Sequence, residues 1–363
     1  MNLKDQLLEV AKTKRLCTVF EYDDLEDGYT GVVLNVTEEE LLLKRVNRDG
    51  RENGYFLMKT EDIVCYCTGD REMKRRWQLW EEKEYSRMPL VKGENLMDEL
   101  LGYALEEMEP VGVCCQGYMY TGWLKGFSDE MVVLTEFTYC GEDNGEVWLR
   151  RDCIDTVEVD SQELRSRKNM WKGRIPEIQQ KSEEGFFERL KAYEGKNWLF
   201  QFYLDGDLRT CYVGELECVT EKEFMVRHMN NEGQYDGLAV FPLSRMACVY
   251  EQSRYLSKMK KIMSEGWKRK GVDFLFKGKF LSNRLMRYAQ RKGQFMMLQV
   301  EKQEYCGKII EWDRNQIYLA VYDWYGRENG EMRILREWVK AIWIDNVGLR
   351  KIKKCQKGLD GNF

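Results

Sequence analysis

The segment YTGVVLNVTEEELLLKRVNRDGRENG, residues 29–54, decides how the whole chain is read. Its opening Tyr29-Thr30-Gly31 returns as Tyr120-Thr121-Gly122, Tyr212-Val213-Gly214 and Tyr305-Cys306-Gly307, with the glycines 91, 92 and 93 residues apart. Nineteen residues after each of these comes a second glycine: Gly50, Gly141, Gly233 and Gly326. Four further on comes a third, Gly54, Gly145, Gly237 or Gly330, preceded by Asn53, Asn144, Asp236 or Asn329. Glycine fills only 30 of 363 positions, so three columns each filled four times point to one unit used in tandem.

Apolar residues keep the same ruler. Val33, Leu124, Leu216 and Ile309 stand two after the anchor glycine, and Val36, Phe127, Val219 and Trp312 stand five after it. Beyond a polar turn, Leu41, Val132, Phe224 and Ile317 stand ten after it. Apolar residues beside a polar turn signal a β-hairpin. The step from plus two to plus five breaks strict alternation, which predicts a bulge or bend that restores the inward face. Asn-Gly or Asp-Gly at the third column predicts a second hairpin with positive φ at the glycine.

Each unit has a lead-in of helical spacing, at Leu3–Ala11, Leu96–Leu105, Phe186–Tyr193 and Leu281–Ala289. A first strand follows, at Leu16–Tyr22, Val111–Met119, Trp198–Leu204 and Phe295–Val300. The expected fold is mainly β with helices: four tandem small barrels, each an N-terminal helix plus five bent antiparallel strands, joined by helical connectors. Barrel closure would remove exposed edges. The expected repeats are 1–90, 91–176, 177–272 and 273–363.

This order, with a glycine in strand two, resembles the Sm-like barrel of the LSm and Hfq proteins. Gly31–Thr37 and Gly307–Asp313 are similar to that family's first motif. An SH3-like barrel would give much the same pattern. The resemblance implies RNA-binding loops with an Asp-x-x-Met-Asn-type turn and a later Arg-Gly pair. The first turn here is Thr37-Glu38-Glu39, and the later ones read Lys59-Thr60-Glu61-Asp62 and Pro242-Leu243-Ser244-Arg245. The resemblance therefore extends to fold and not to the RNA site.

No P-loop, dinucleotide fingerprint or zinc-protease motif occurs, and the one histidine, His228, has no identifiable partner for acid–base or metal chemistry. We expect no enzyme activity, no cofactor and no metal. The 12 cysteines include no C-x-x-C pair and read as free thiols in a reducing compartment. The charged N-terminus is not a secretory signal, and no apolar run reaches the roughly 18–20 residues of a membrane span. We therefore expect a cytoplasmic protein without membrane contact.

Charge is segregated. Arg71–Arg76, Ser161–Arg174, Glu251–Lys270 and Arg350–Lys357 together carry +17 in a chain of net −5, which leaves −22 elsewhere. Trp77, Trp80, Trp171 and Trp267 accompany these bases. Lys74, Arg75, Arg76, Arg167, Lys168, Lys260 and Lys261 are candidate nucleic-acid contacts. The competing reading docks an apolar stripe such as Leu256, Met259, Met263 and Trp267 on a barrel and leaves its cations to water or acidic neighbours. Tyr29, Tyr120, Tyr212 and Tyr305 read as packing over the anchor glycines rather than as a ligand site. The leading functional expectation is a binding or scaffold protein for a protein or peptide partner, with nucleic acid as the alternative.

Overall fold

A computed structural model describes residues 2–22, 24–80, 93–173, 175–176, 184–263 and 279–360. The chain divides into two compact units, Met1–Glu183 and Glu184–Phe363.

The first unit begins with α1 (Leu3–Thr13), β1 (Leu16–Glu21), β2 (Asp24–Val36), β3 (Glu40–Val46), β4 (Glu52–Lys59), β5 (Ile63–Thr68) and α2 (Arg71–Leu79). It continues with α3 (Leu96–Glu106), β6 (Pro110–Cys115), β7 (Tyr118–Phe127), β8 (Met131–Phe137), β9 (Asp143–Arg150), β10 (Ile154–Val159) and α4 (Gln162–Met170). The second unit holds α5 (Phe186–Lys191), β11 (Leu199–Leu204), β12 (Asp207–Val219), β13 (Glu223–Met229), β14 (Tyr235–Pro242), β15 (Met246–Tyr250) and α6 (Arg254–Ile262). Its remainder is α7 (Leu281–Lys292), β16 (Met296–Val300), β17 (Gln303–Trp312), β18 (Gln316–Tyr322), β19 (Glu328–Leu335), β20 (Val339–Ile344) and α8 (Val347–Asp360).

The expected bulge is present in every quarter. The β2–β3 register slips between Val33 and Asn35, and the equivalent slips lie at Leu124/Gly126, Leu216/Cys218 and Ile309/Glu311. The anchor glycine explains how strand two bends onto strand three. A Cβ on Gly31 would sit 2.3 Å from the Lys44 carbonyl oxygen, and one on Gly122 equally close to that of Thr135. The third-column glycines have the expected positive φ, +76, +88, +89 and +91°, but they do not form the hairpin turn. Each lies inside the fourth strand of its quarter, at a register slip such as that between Lys44 and Val46, and the turn holds the second-column glycine instead.

The expectation of four separate barrels joined by connectors is overturned. Strands pair across the boundaries between quarters. In the first unit β4 pairs with β10, at Phe56↔Glu158 and Leu57↔Val157, so the hydrogen-bonded order is β5-β1-β2-β3-β4-β10-β6-β7-β8-β9. The second unit repeats the scheme through β14 and β20, at Leu238↔Ile344 and Val240↔Ile342. Each unit is thus one continuous ten-stranded antiparallel sheet. The cause is the polar edge: β4 and β14 have N–H and C=O groups to satisfy, and the fifth strand of the following quarter satisfies them.

Side chains lock the same boundary. Glu40 accepts hydrogen bonds from the N–H groups of Leu96 (2.7 Å) and Met97 (3.1 Å) at the start of α3. Glu223, its counterpart, accepts from the Ser282 N–H at 3.1 Å at the start of α7. Burial holds the Glu40 carboxyl above the ordinary carboxylate value, and those two N–H bonds offset only part of that rise. Arg151 pairs with Asp98 and donates to the Ser128 carbonyl, while Arg336 donates to Ser282 and to the Asp313 carbonyl.

The helices after each fifth strand fold back on their own quarter. Each lies against its second-column glycine: a Cβ on Gly50 would meet the Arg76 carbonyl, on Gly141 that of Met170, and on Gly233 that of Ile262. In the fourth quarter, Gly326 lies against the α8 backbone at Ile352 and Gln356.

All 12 cysteines are free thiols. Burial pushes the Cys17 and Cys306 thiols up to about 12 and that of Cys114 to about 11. Alkylation of the folded protein near pH 8 should therefore modify exposed Cys65 and Cys140 first and leave Cys17 and Cys306 intact. Denatured, unreduced protein should yield nearly all 12. Peptide mass mapping reads both; early modification of Cys17 would contradict this packing.

Candidate functional site

The basic residues singled out in the sequence lie on three helices, α2, α4 and α6. Arg75 bonds Glu72 at 3.0 Å and the Arg48 carbonyl at 3.2 Å. Arg76 reaches Glu72 at 3.3 Å and the Val46 carbonyl at 3.4 Å. Arg167 pairs with Glu163 and lies over the Tyr139 ring. Lys168 bonds Glu109 at 2.8 Å, and Lys260 stands 4.8 Å from the centre of the Trp198 ring. Lys74 and Lys261 are exposed. Most of these cations are therefore engaged with acidic, carbonyl or aromatic partners inside their own unit. The docked-stripe reading holds for Leu256 and Met259, which are buried, while Met263 is exposed and Trp267 lies outside the described residues.

The tyrosine column packs. Tyr29 stacks on Phe56 at 4.0 Å, Tyr212 sits 5.0 Å from Phe241, and Tyr120 is buried. Tyr305 packs against the fourth quarter's core. His228 lies edge-on to Trp343 at 4.7 Å across the β13–β14–β20 sheet. In the first unit the same two positions hold Arg45 and Glu158, an ion pair at 3.4 Å. Burial pushes the Glu158 carboxyl up, and the Arg45 guanidinium opposes that. His228 is thus one half of a boundary contact. Among the described residues no group of three or more His, Cys, Asp or Glu side chains is arranged to hold a metal ion. No described helix is long and apolar enough to cross a membrane.

The surface that stands out contains none of the candidate nucleic-acid contacts. It is the outer strand β19 and its surroundings. Where β4 has Tyr55 and Leu57, and β14 has Leu238 and Val240, all buried against the following quarter, β19 has Glu331 and Arg333, both exposed. Tyr318 on β18 hydrogen-bonds Glu331, which holds its phenol above the ordinary value, and Arg333 lies 5.1 Å from the Tyr318 ring centre. Near this ladder Leu335 and Trp338 are each 50% exposed, and Ile310 on β17 is 39% exposed. One sequence signal does mark it: Glu331-Met332-Arg333-Ile334 alternates polar and apolar, whereas Leu238-Ala239-Val240-Phe241 is apolar throughout.

No known protein family and no curated protein matches this chain. The Sm-like resemblance therefore rests on its motif residues alone.

Proposed function

We propose that this protein is a non-enzymatic scaffold that binds a protein or peptide along β19. One observation carries the reading: an edge strand with Arg333, Leu335 and Trp338 on or beside it, arginine, aliphatic and aromatic groups left in solvent together. Surface of that composition is enriched in protein interfaces. An edge strand offers unpaired backbone groups to an added strand. Twelve free thiols fit the reducing compartment that a cytoplasmic scaffold would occupy.

A photo-cross-linking residue in place of Leu335, activated in cells, should form covalent adducts with protein. Adducts with RNA alone, or none, would sink the reading. Nucleic-acid binding has its own check. With most candidate cations already paired, single-stranded RNA should bind weakly at low salt. Its log–log salt slope should stay well short of several contacts at about −0.7 each. A steep slope abolished by exchanging Lys74, Arg75, Arg76, Lys260 and Lys261 for Glu would favour RNA instead.

A further inference from the structure

We infer that the partner of β19 is strand β5 of a second copy of this chain, added head to tail; this rests on the scaffold reading above. Within each unit, a fourth strand pairs with the fifth strand of the following quarter in one fixed register. The residue after the third-column glycine faces the last residue of the fifth strand, as Tyr55↔Val159 and Leu238↔Ile344. The next residues face in turn, as Phe56↔Glu158 and Ala239↔Trp343. Among the described residues β5 pairs only with β1, and β19 only with β18. Among the described residues β5, a fifth strand, and β19, a fourth strand, are thus each paired along one side. β9 and β15 do not compete, because Val147, Trp148 and Leu149 and the whole of β15 are buried.

Three further details repeat at the internal boundaries and stand open at the ends. A Cβ on Gly54 would lie 2.2 Å from the Val159 carbonyl, and one on Gly237 2.3 Å from that of Ile344. Gly330 has the same left-handed φ, with nothing within 4 Å of that position. The Asn53 side chain accepts from the Gln162 N–H at 2.7 Å, and Asp236 accepts from that of Val347, each at the first turn of the helix after the partner strand. Asn329 is the matching acceptor, and Arg71 at the start of α2 the matching donor. Finally, the boundary positions are chemically matched in pairs: Arg45 with Glu158, His228 with Trp343. The corresponding terminal residues are Val321 and Cys67, small and apolar on both sides.

The same register places Glu331 opposite Thr68, Met332 opposite Cys67, Arg333 opposite Tyr66 and Ile334 opposite Cys65. No like charges meet. Arg333 would lie beside an aromatic ring, and exposed Val64 and Leu335 would be brought to the same seam. The charged residues at 331 and 333 replace the apolar ones used inside the units. They make this contact reversible where the internal ones are permanent.

The test mixes isotopically heavy and light full-length chains carrying Met332→Cys and oxidises them gently. A disulfide between the introduced thiol and Cys67 is expected, with heavy–light hybrids, because opposed strand residues bring their Cβ atoms within disulfide reach. Glu328→Cys, off register, should give at least tenfold less of any such link. Sedimentation of the unmodified chain should show mass rising with concentration, and Gly330→Val should abolish the rise. Links confined to single chains, or a mass that stays monomeric at every concentration, overturn the inference. If the chain stays monomeric while the Leu335 cross-linker captures a different protein, self-association fails and the scaffold reading stands. If only RNA is captured, both fail.

Discussion

Gly54→Val should destabilise the first unit by about 4 kcal/mol, through two penalties that add. The position has φ of +76°, where a β-branched residue is strained by about 1–3 kcal/mol. Its Cβ would also strike the Val159 carbonyl across the β4–β10 pair, and overpacking of that kind costs about 1–3 kcal/mol. Gly330→Val separates the two, since φ is +91° but the space is empty. It should cost only the first penalty, about 2 kcal/mol. Urea midpoints at low protein concentration measure both. Equal losses would mean that the β4–β10 contact contributes nothing.

Trp148→Ala should cost about 3–5 kcal/mol, the usual range for emptying a fully buried Trp site. Trp148 is 0% exposed on β9, with its indole N–H bonded to Glu146 at 2.8 Å. Trp338→Ala, at 50% exposure, should change stability by less than about 0.5 kcal/mol. It should instead weaken whatever binds along β19. A large stability loss at Trp338 would place that side chain in the folded core and remove it from the candidate surface.

Local features are legible in the sequence because local chemistry fixes them. The break in alternation between Val33 and Val36 marks the bulge, and Gly54 has the expected positive φ. Asn53-Gly54, however, marks a second irregularity inside β4, at the slip between Lys44 and Val46, while the hairpin turn itself lies at Asn47–Gly50. In the second quarter, Val111–Met119 reads as a single first strand. It is instead two strands parted by a tight turn at Gln116-Gly117, both residues with positive φ. The Gln in that turn hides it, since Gln seldom adopts the left-handed region.

The merging of quarters escapes the sequence for a different reason. Pairing of Leu57 with Val157 joins residues 100 apart, and no spacing rule reaches that far. The clue lies in two-faced strands: Tyr55-Phe56-Leu57-Met58 is apolar on both faces, which a lone barrel with one side in water would not require. The basic segments mislead in the opposite way. Arg75 and Arg76 look like a free cationic track in sequence, but their long arms reach back to Glu72 and to the carbonyls of Arg48 and Val46.

The glutamate acceptors on β3 and β13 bear on how the chain is made. Glu40 is synthesised before the N–H groups of Leu96 and Met97, and Glu223 before that of Ser282. Each later helix thus emerges from the ribosome towards an acceptor that an earlier hairpin already holds in place. Folding can therefore run from the N-terminus at the pace of translation, each finished segment templating the next, and the chain need never wait for its far end.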